Sequence, residues 1–157
     1  MTEWTRYRID AVGLELDVVD GVPVDAELGR DAGTVLQFAG DLEIAVWYGA
    51  DAEIDRWAGG IAASWPRAVL GPEETVTLGD ELTVRQRVAL LPPEHVEGGF
   101  EREDGGLELR VDERPAREAT AVALRCGGIA MLASVTAPAG RRADVAHVLT
   151  SLRVSSG

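Results

Sequence analysis

The sequence contains no lysine and no asparagine, and these absences exclude several classes of function. All 15 basic residues of the 157-residue chain are arginines. P-loop nucleotide binding, Schiff-base chemistry and the lysine-dependent kinase arrangement all need a lysine amine. N-glycosylation needs an asparagine. A chain that is rich in arginine, alanine, glycine and valine is typical of a high-GC bacterial genome.

Cysteine and histidine are also scarce. Cys126 is the single cysteine, so an internal disulfide framework is excluded, and its position in an apolar run before Gly127-Gly128 predicts a buried structural thiol. His95 and His147 are far apart in sequence and are predicted to be surface side chains. Neither accompanies a recognisable nucleophile or a zinc-ligand spacing. We therefore expect no metal, no cofactor and no enzymatic activity.

Long apolar runs are missing as well, because no run approaches the roughly 20 residues that span a bilayer. Glu3, Arg6, Arg8 and Asp10 interrupt the apolar start that a signal peptide would have. We expect a cytoplasmic protein without membrane insertion. The net charge of −12 repels nucleic-acid phosphates, so nucleic-acid binding is not expected. The length predicts a single domain over residues 1–157.

Alternating apolar residues predict strands along most of the chain. Glycine-containing turns join several of them into hairpins. The predicted strands are 6–9, 12–18, 34–38, 42–48, 74–78, 82–91, 119–126 and 129–136, with a loop from about 24 to 33. The strands joined by Gly127-Gly128 are predicted to be central in the sheet. After Pro92-Pro93, residues 100–103 and 107–112 either pair with each other or belong to a mobile loop.

Two helices complete the predicted architecture. The first has Asp51 as its N-cap and Pro66 as its stop. Its buried stripe comprises Ile54, Trp57, Ala58, Ile61, Ala62 and Trp65. The second is predicted from about Arg141 to Leu152. The fold class is therefore α+β, with an antiparallel sheet of hairpins packed against two main helices.

Two groups of side chains are candidates for binding. Arg85 and Arg87 project from one face of one predicted strand, and Arg125 is placed on a neighbouring strand, so the three guanidinium groups can clamp a carboxylate or a phosphate. The alternative is that they form surface salt bridges with the 27 acidic residues. Trp47 and Tyr48, with the tryptophans of the first helix, either line a partner groove or belong to the core.

The order of these features resembles a known superfamily. The strand Val12-Gly13-Leu14-Glu15-Leu16-Asp17-Val18 leads into Gly21-Val22-Pro23, a hairpin ends at Tyr48, a tryptophan-bearing helix follows, and the chain closes with Leu149-Thr150-Ser151-Leu152-Arg153-Val154. This order resembles the PsbP-like superfamily of α/β/α sandwiches, which includes the Ran-release (Mog) proteins, the DcrB lipoproteins and the Eag chaperones of type VI secretion effectors. The resemblance carries no catalytic motif and assigns no role to any single residue.

The resemblance implies binding to other macromolecules, and the absence of a recognisable catalytic or cofactor motif agrees with this. The leading hypothesis is a non-enzymatic protein-binding adaptor or chaperone-like accessory domain, with a secretion system as one setting. The first alternative is a small-molecule binder that uses Arg85 and Arg87 against an anionic ligand. An enzyme of unfamiliar design is the second alternative. The expected partner is another protein, and a homodimer is also open.

Overall fold

The computed structural model describes residues 2–28, 32–50, 52–79, 82–126 and 128–154. Within these residues the chain forms thirteen strands, two α-helices and one short 3-10 helix at Ala139–Arg141. The strands are β1 Trp4–Ile9, β2 Leu14–Val19, β3 Asp25–Leu28, β4 Ala32–Ala39, β5 Leu42–Gly49, β6 Val69–Leu70, β7 Glu74–Leu78, β8 Leu82–Leu91, β9 Glu94–Glu101, β10 Leu107–Arg114, β11 Arg117–Cys126, β12 Ile129–Pro138 and β13 Arg153–Val154. The helices are α1 Ile54–Ser64 and α2 Arg142–Thr150.

One large antiparallel sheet organises the molecule. Its strand order is β3-β4-β5-β12-β11-β8-β6, and β7 also pairs with β8. The predicted hairpins β4–β5, β7–β8 and β11–β12 are present, and β11 and β12 are central as expected. Gly40 and Gly128 occupy turns with φ of 63° and 84°, which side chains with a Cβ adopt only with strain.

The two faces of this sheet are covered differently. We call the first the closed face, because the three-stranded sheet β1-β2-β13 and helix α2 both pack against it. Every second residue of β2 is buried, at Leu14, Leu16 and Val18, as the period of two predicts. These side chains share one core with apolar residues of β4, β5, β11 and β12, and with Leu152 after α2.

We call the opposite face the open face, because helix α1 covers only part of it. Ile54 of α1 packs with Ala121 and Ala123 of β11, and Ile61 packs with Ala89 and Ala119. These alanines have short side chains, so the helix lies close to β8 and β11. The open-face positions of β12, β5 and β4 remain beside the helix. The two predicted helices thus lie on opposite faces, as in an α/β/α sandwich.

The ends of α1 differ slightly from the prediction. The helix begins after Glu53, whose extended backbone is the N-cap, and no side-chain hydrogen bond caps it. The predicted cap, Asp51, lies outside the described residues. Trp65 is the C-cap, and the helix stops before Pro66 as expected.

Of the two predicted alternatives after Pro92-Pro93, the paired strands are present, and they are longer than expected and form a two-stranded arm. β9 begins directly after Pro92-Pro93 and pairs with β10 from Glu94↔Arg114 to Glu101↔Leu107. In the described part of the chain these two strands pair with each other and with no other strand. The arm therefore leaves the large sheet between the end of β8 and the start of β11.

Strand β3 was not expected, since residues 24–33 were predicted to form a loop. Its four residues alternate between the acidic Asp25 and Glu27 and the apolar Ala26 and Leu28, but a run this short gives only a weak strand signal. Charged residues are common on edge strands, and β3 is the edge of the large sheet next to β4.

The described residues include no helix that is long and apolar enough to cross a membrane.

A buried glutamine connects the large sheet to the small one. Gln37 of β4 is 2% exposed and points to the closed face. Its Nε2 donates to the carbonyls of Val19 at 2.9 Å and Val22 at 3.0 Å, and its Oε1 accepts from the Val19 N–H at 2.9 Å. The amide thus supplies the hydrogen bonds that the end of β2 lacks on its edge away from β1, where β13 does not reach.

Candidate functional site

A cleft of about 560 Å³ lies on the open face beside α1. We call it the tryptophan cleft, because Trp47 of β5 and Trp57 and Trp65 of α1 all line it. The other lining residues are Thr34, Glu43, Arg56, Gly60, Ile61, Ser64, Leu91, Arg117, Leu132, Ser134 and Thr136. The cleft is thus a trough with a helix as one wall and strands as its floor.

The floor is formed by open-face side chains of three adjacent strands. The register places Trp47 beside Leu132 and Glu43 beside Thr136, across the β5–β12 pair. Thr34 of β4 is the cross-strand partner of Trp47. Threonine and serine are short and carry hydroxyl groups that both donate and accept hydrogen bonds. The floor can therefore accommodate a ligand and bond to its polar groups.

The helical wall contains two consecutive glycines. Gly60 lines the cleft, whereas Gly59 does not, and a Cβ added to either would have no heavy atom within 4 Å. Each glycine inside a helix costs about 0.5–1 kcal/mol relative to alanine. Packing within the described chain gives no steric reason for either glycine. At Gly60 the missing side chain leaves the helix backbone open to whatever enters the cleft.

A positively charged side chain, that of Arg117, lies at one end of the cleft. Arg117 begins β11, opposite Leu91, and its guanidinium carbon lies 5.7 Å from the centre of the Trp65 ring. A cation over an indole face is an attractive arrangement that fixes both groups. This end of the trough is thus an aromatic surface next to a positive charge.

Tyr48 does not join the tryptophans, so the core is the alternative that applies to it. Successive residues of a strand point to opposite faces, so Tyr48 lies on the closed face, where it is 6% exposed. Its ring lies over its cross-strand partner Gly33, where an added Cβ would overlap the phenol. Tyr48 is therefore a core residue, and only Trp47 of this pair is available to a partner.

The predicted arginine group lies at a second cleft, of about 450 Å³, next to the start of α1. Arg85 and Arg125 line it, with Glu53 and Asp55 among its other residues. Arg87 shares the open face with Arg85, and the register places them opposite Ala121 and Ala123 of β11. The structure thus brings Arg85 and Arg125 to one cleft and leaves Arg87 beside it.

Each of these arginines has a partner within the chain. Arg85 forms an ion pair with Glu73 at 3.1 Å, and Arg125 donates to the Gly128 carbonyl at 3.0 Å. Arg87 donates to the Gly71 carbonyl at 2.8 Å and lies 3.8 Å from Asp55. The guanidinium groups are therefore partly compensated, and an anionic ligand would have to compete with these contacts.

Comparison with known proteins rests on the fold. No family model matches the chain, and a comparison with curated proteins found no match. The solution structure of cyanobacterial PsbP (CyanoP) from Synechocystis sp. PCC 6803 superposes with a TM-score of 0.57, covering 99% of this chain and 94% of CyanoP at 15% identity.

The fold is PsbP-like. A crystal structure from Bacteroides thetaiotaomicron VPI-5482 also matches, with a TM-score of 0.46 and 13% identity over 99% of this chain and 50% of the other. At these identities the likeness concerns the fold and not the function.

His147 is more highly organised in this PsbP-like domain than a plain surface histidine. Its Nε2 lies 2.8 Å from Asp17 Oδ2, and its ring stacks on Trp4 with centroids 4.3 Å apart. Arg6 lies 3.3 Å from the same Asp17 carboxylate. These contacts join α2 to the outer side of the small sheet. The described residues hold no cluster of histidine, cysteine and carboxylate ligands for a metal, and the side chains of His95 and Cys126 lie outside them.

Sequence reasoning did not identify most of the tryptophan cleft. Its hydroxyl floor has a weak signal in Ser134 and Thr136, which interrupt the apolar pattern of a central strand. Gly60 and Arg117 gave no signal at all, because their role depends on where α1 lies on the sheet.

Proposed function

We propose that this protein is a non-enzymatic accessory domain that binds a short extended segment of a partner protein in the tryptophan cleft. The proposal includes an adaptor or chaperone-like role, and bacterial secretion systems are the setting in which to search for the partner. The cytoplasmic location expected from the sequence stays a prediction.

The observation that carries the proposal is the set of three indole rings around an open trough. Trp47, Trp57 and Trp65 are each only half-buried. Tryptophan is enriched among the residues that dominate the energy of protein interfaces. Half-buried indoles gathered at one cleft are therefore a typical surface for anchoring apolar side chains of a partner.

The dimensions of the trough support a short peptide. The volume of about 560 Å³ falls within the range of small-ligand sites. Trp47 and Glu43 are four residues apart on β5, which corresponds to about 13 Å along the strand. An extended peptide of about four residues has the same length. The hydroxyl groups of Thr34, Ser134 and Thr136 can bond to its backbone.

The two glycines of α1 provide a matched test. We would select peptides from a random heptapeptide library displayed on phage and measure their affinity for the unmodified protein and three variants by calorimetry. Gly60→Leu fills the wall of the cleft and should weaken binding at least tenfold. Gly59→Leu changes the neighbouring exposed position and should leave the affinity within twofold. Trp57→Ala should also weaken binding at least tenfold.

Equal affinity of the selected peptides for Gly60→Leu, Trp57→Ala and the unmodified protein would contradict the proposal. Circular dichroism of each variant, together with its urea midpoint, shows whether a loss of binding reflects a loss of folding.

A second candidate function is the binding of a small anionic ligand. It is favoured by Arg85 and Arg125, which line the same cleft beside the start of α1. Thermal unfolding in the presence of phosphate and citrate tests it. Ligand binding to the folded state would raise the Tm, and Arg85→Ala would abolish that increase. An unchanged Tm with both anions, at concentrations up to 10 mM or so, would remove this candidate.

A further inference from the structure

The β9–β10 arm has a free edge and an exposed apolar strip. Leu107 is 70% exposed and Leu109 is 77% exposed, and both belong to β10. A Cβ added to Gly99 would lie 3.7 Å from Leu107 Cδ1 and 3.8 Å from Leu109 Cδ2. Both leucines therefore lie on one face of the arm, across Gly99 of β9.

The backbone groups of the same two leucines point away from β9. Arg102 N–H donates to the Gly106 carbonyl at 2.7 Å, which makes this pair a hydrogen-bonded one. Hydrogen-bonded and non-hydrogen-bonded pairs alternate along an antiparallel ladder. The pairs Glu101↔Leu107 and Gly99↔Leu109 are therefore non-hydrogen-bonded. Their N–H and C=O groups face outward, and in the described chain no other strand pairs with β10.

An isolated two-stranded ribbon is marginally stable in water, whereas a third strand with an apolar face stabilises it. A strand added next to β10 would bond to the outward groups of Leu107 and Leu109 and cover their side chains. A strand next to β9 would instead meet Gly99 and Glu101. The edge of β10 is therefore the favoured place for an added strand.

The charge of the arm selects the chemistry of that strand. Residues 94–114 contain eight acids and three arginines, a net charge of −5. A second copy of this chain would bring another net charge of −12. A basic segment is attracted to the arm, while an acidic one is repelled.

We propose that the outer edge of β10 accepts an extended segment of a partner protein in which basic and apolar residues alternate. This is strand addition to a sheet edge, with main-chain hydrogen bonds giving affinity and alternate side chains giving specificity. The inference adds a second surface to the proposed protein-binding function and does not depend on the tryptophan cleft.

The test uses the full chain, labelled with ¹⁵N, and an octapeptide of alternating valine and lysine with blocked termini. Saturating peptide should slow hydrogen exchange at the Leu107 and Leu109 amides at least tenfold. A peptide of the same composition with four valines followed by four lysines should not. An alternating valine–glutamate peptide should not bind either.

Two variants separate the side chains from the edge. Leu107→Thr combined with Leu109→Thr keeps the strand propensity but removes the apolar strip, and it should weaken binding at least tenfold. Leu109→Pro removes one outward donor without removing a bond of the arm's own ladder, and it should have the same effect. Val69→Thr alters a residue that is 62% exposed on β6, and binding should stay within twofold.

Several results would overturn the inference. Equal protection by the valine–glutamate peptide would do so, as would protection at Gly99 and Glu101 in place of the two leucines. Protection that appears without peptide as the protein concentration rises would assign the edge to a second copy of the chain. Trp57→Ala should not change binding at the arm, so failure here and failure at the tryptophan cleft are distinguishable.

Discussion

The closed face and the open face of the large sheet carry different kinds of side chain on the same strands. On β5 the closed face presents Ile44 and Val46, which are almost fully buried, whereas the open face presents Glu43 and Trp47, which are half-buried. The closed face is covered by a sheet and a helix, and the open face by one helix over its β8–β11 half.

This comparison separates stability from binding. Burial of apolar surface is the dominant stabilising contribution, so the closed face should account for most of the free energy of unfolding. The open face keeps polar floor residues and indole rings at a cleft, where a partner can still reach them. Substitutions on the two faces of one strand should therefore have different consequences.

The largest expected effect on stability is in the core that lies against the closed face. Leu16→Ala removes a side chain that is 1% exposed and should lower the free energy of unfolding by about 2–5 kcal/mol. Phe38→Ala truncates a larger side chain that is 58% exposed on the open face, and it should change stability by less than about 0.5 kcal/mol. Urea unfolding measures both. Equal losses would mean that the two faces contribute alike.

The next effect concerns the buried amide of Gln37. Gln37→Leu removes three hydrogen bonds to Val19 and Val22, and should cost about 1–3 kcal/mol because the buried backbone groups lose their partners. Thr34→Val is the matched change on the open face of the same strand and should stay within about 0.5 kcal/mol. A neutral Gln37→Leu would show that the amide does not hold the end of β2 in place.

A comparable effect is expected at the Gly33–Tyr48 pair. Gly33→Ala places a methyl group where the Tyr48 phenol lies and should destabilise the protein by about 1–3 kcal/mol through overpacking. Tyr48→Leu vacates part of that space, so the double variant should be less destabilised than the sum of the two single variants. A double-mutant cycle in urea measures the coupling, and strict additivity would rule out the proposed overlap.

The smallest effect is on the outer side of the small sheet. Hydrogen bonds from Arg8, and then Arg6, hold the pKa of the Glu15 carboxyl below its ordinary value of 4.5. A lowered pKa means that this stabilisation is present above about pH 4.5 and is lost as pH falls through the lowered value. Glu15→Gln should therefore lower the Tm slightly at pH 7, and the difference should shrink on acidification.

Glu74→Gln, at an exposed position of β7, is the control for the loss of one carboxylate charge. A Tm difference for Glu15→Gln that widened toward acid pH would have the wrong sign for a lowered pKa. High salt should also reduce the difference, because both charges are near solvent.

Much of the local structure was predictable from particular residues. The alternation in β2, the turns at Gly40 and Gly128 and the apolar stripe of α1 each act over a few neighbouring residues, and all are present. The one exception within the stripe is Ala62, which was predicted to be buried and is exposed. Strand β3 was not predicted, because four residues, two of them acidic, are too few to show a clear alternation. The arm was left open between strands and a loop, since Gly98, Gly99, Gly105 and Gly106 weaken the strand signal.

The candidate site was far less predictable. Trp47 and the arginines were recognised as candidates, whereas Tyr48, which the sequence left open between a partner groove and the core, lies in the core. Arg85 and Arg125 were expected on neighbouring strands, and they do line one cleft. Surface salt bridges were the alternative that the sequence left open for these arginines, and Arg85 does form one with Glu73. The sequence does not single out Glu73 among the 27 acidic residues, because that choice depends on the register of the β7–β8 hairpin.

By itself the sequence determined the hairpins, the two helices and the absence of lysine chemistry, because each depends on composition or on contacts within a few residues. Only the tertiary structure decided that β5 pairs with β12, some 85 residues later, and that α1 lies over β8 and β11. An alternating pattern shows which residues share a face but not which distant hairpin joins the edge. That choice depends on burying both faces together, and it is what brings Trp47 to the tryptophans of α1.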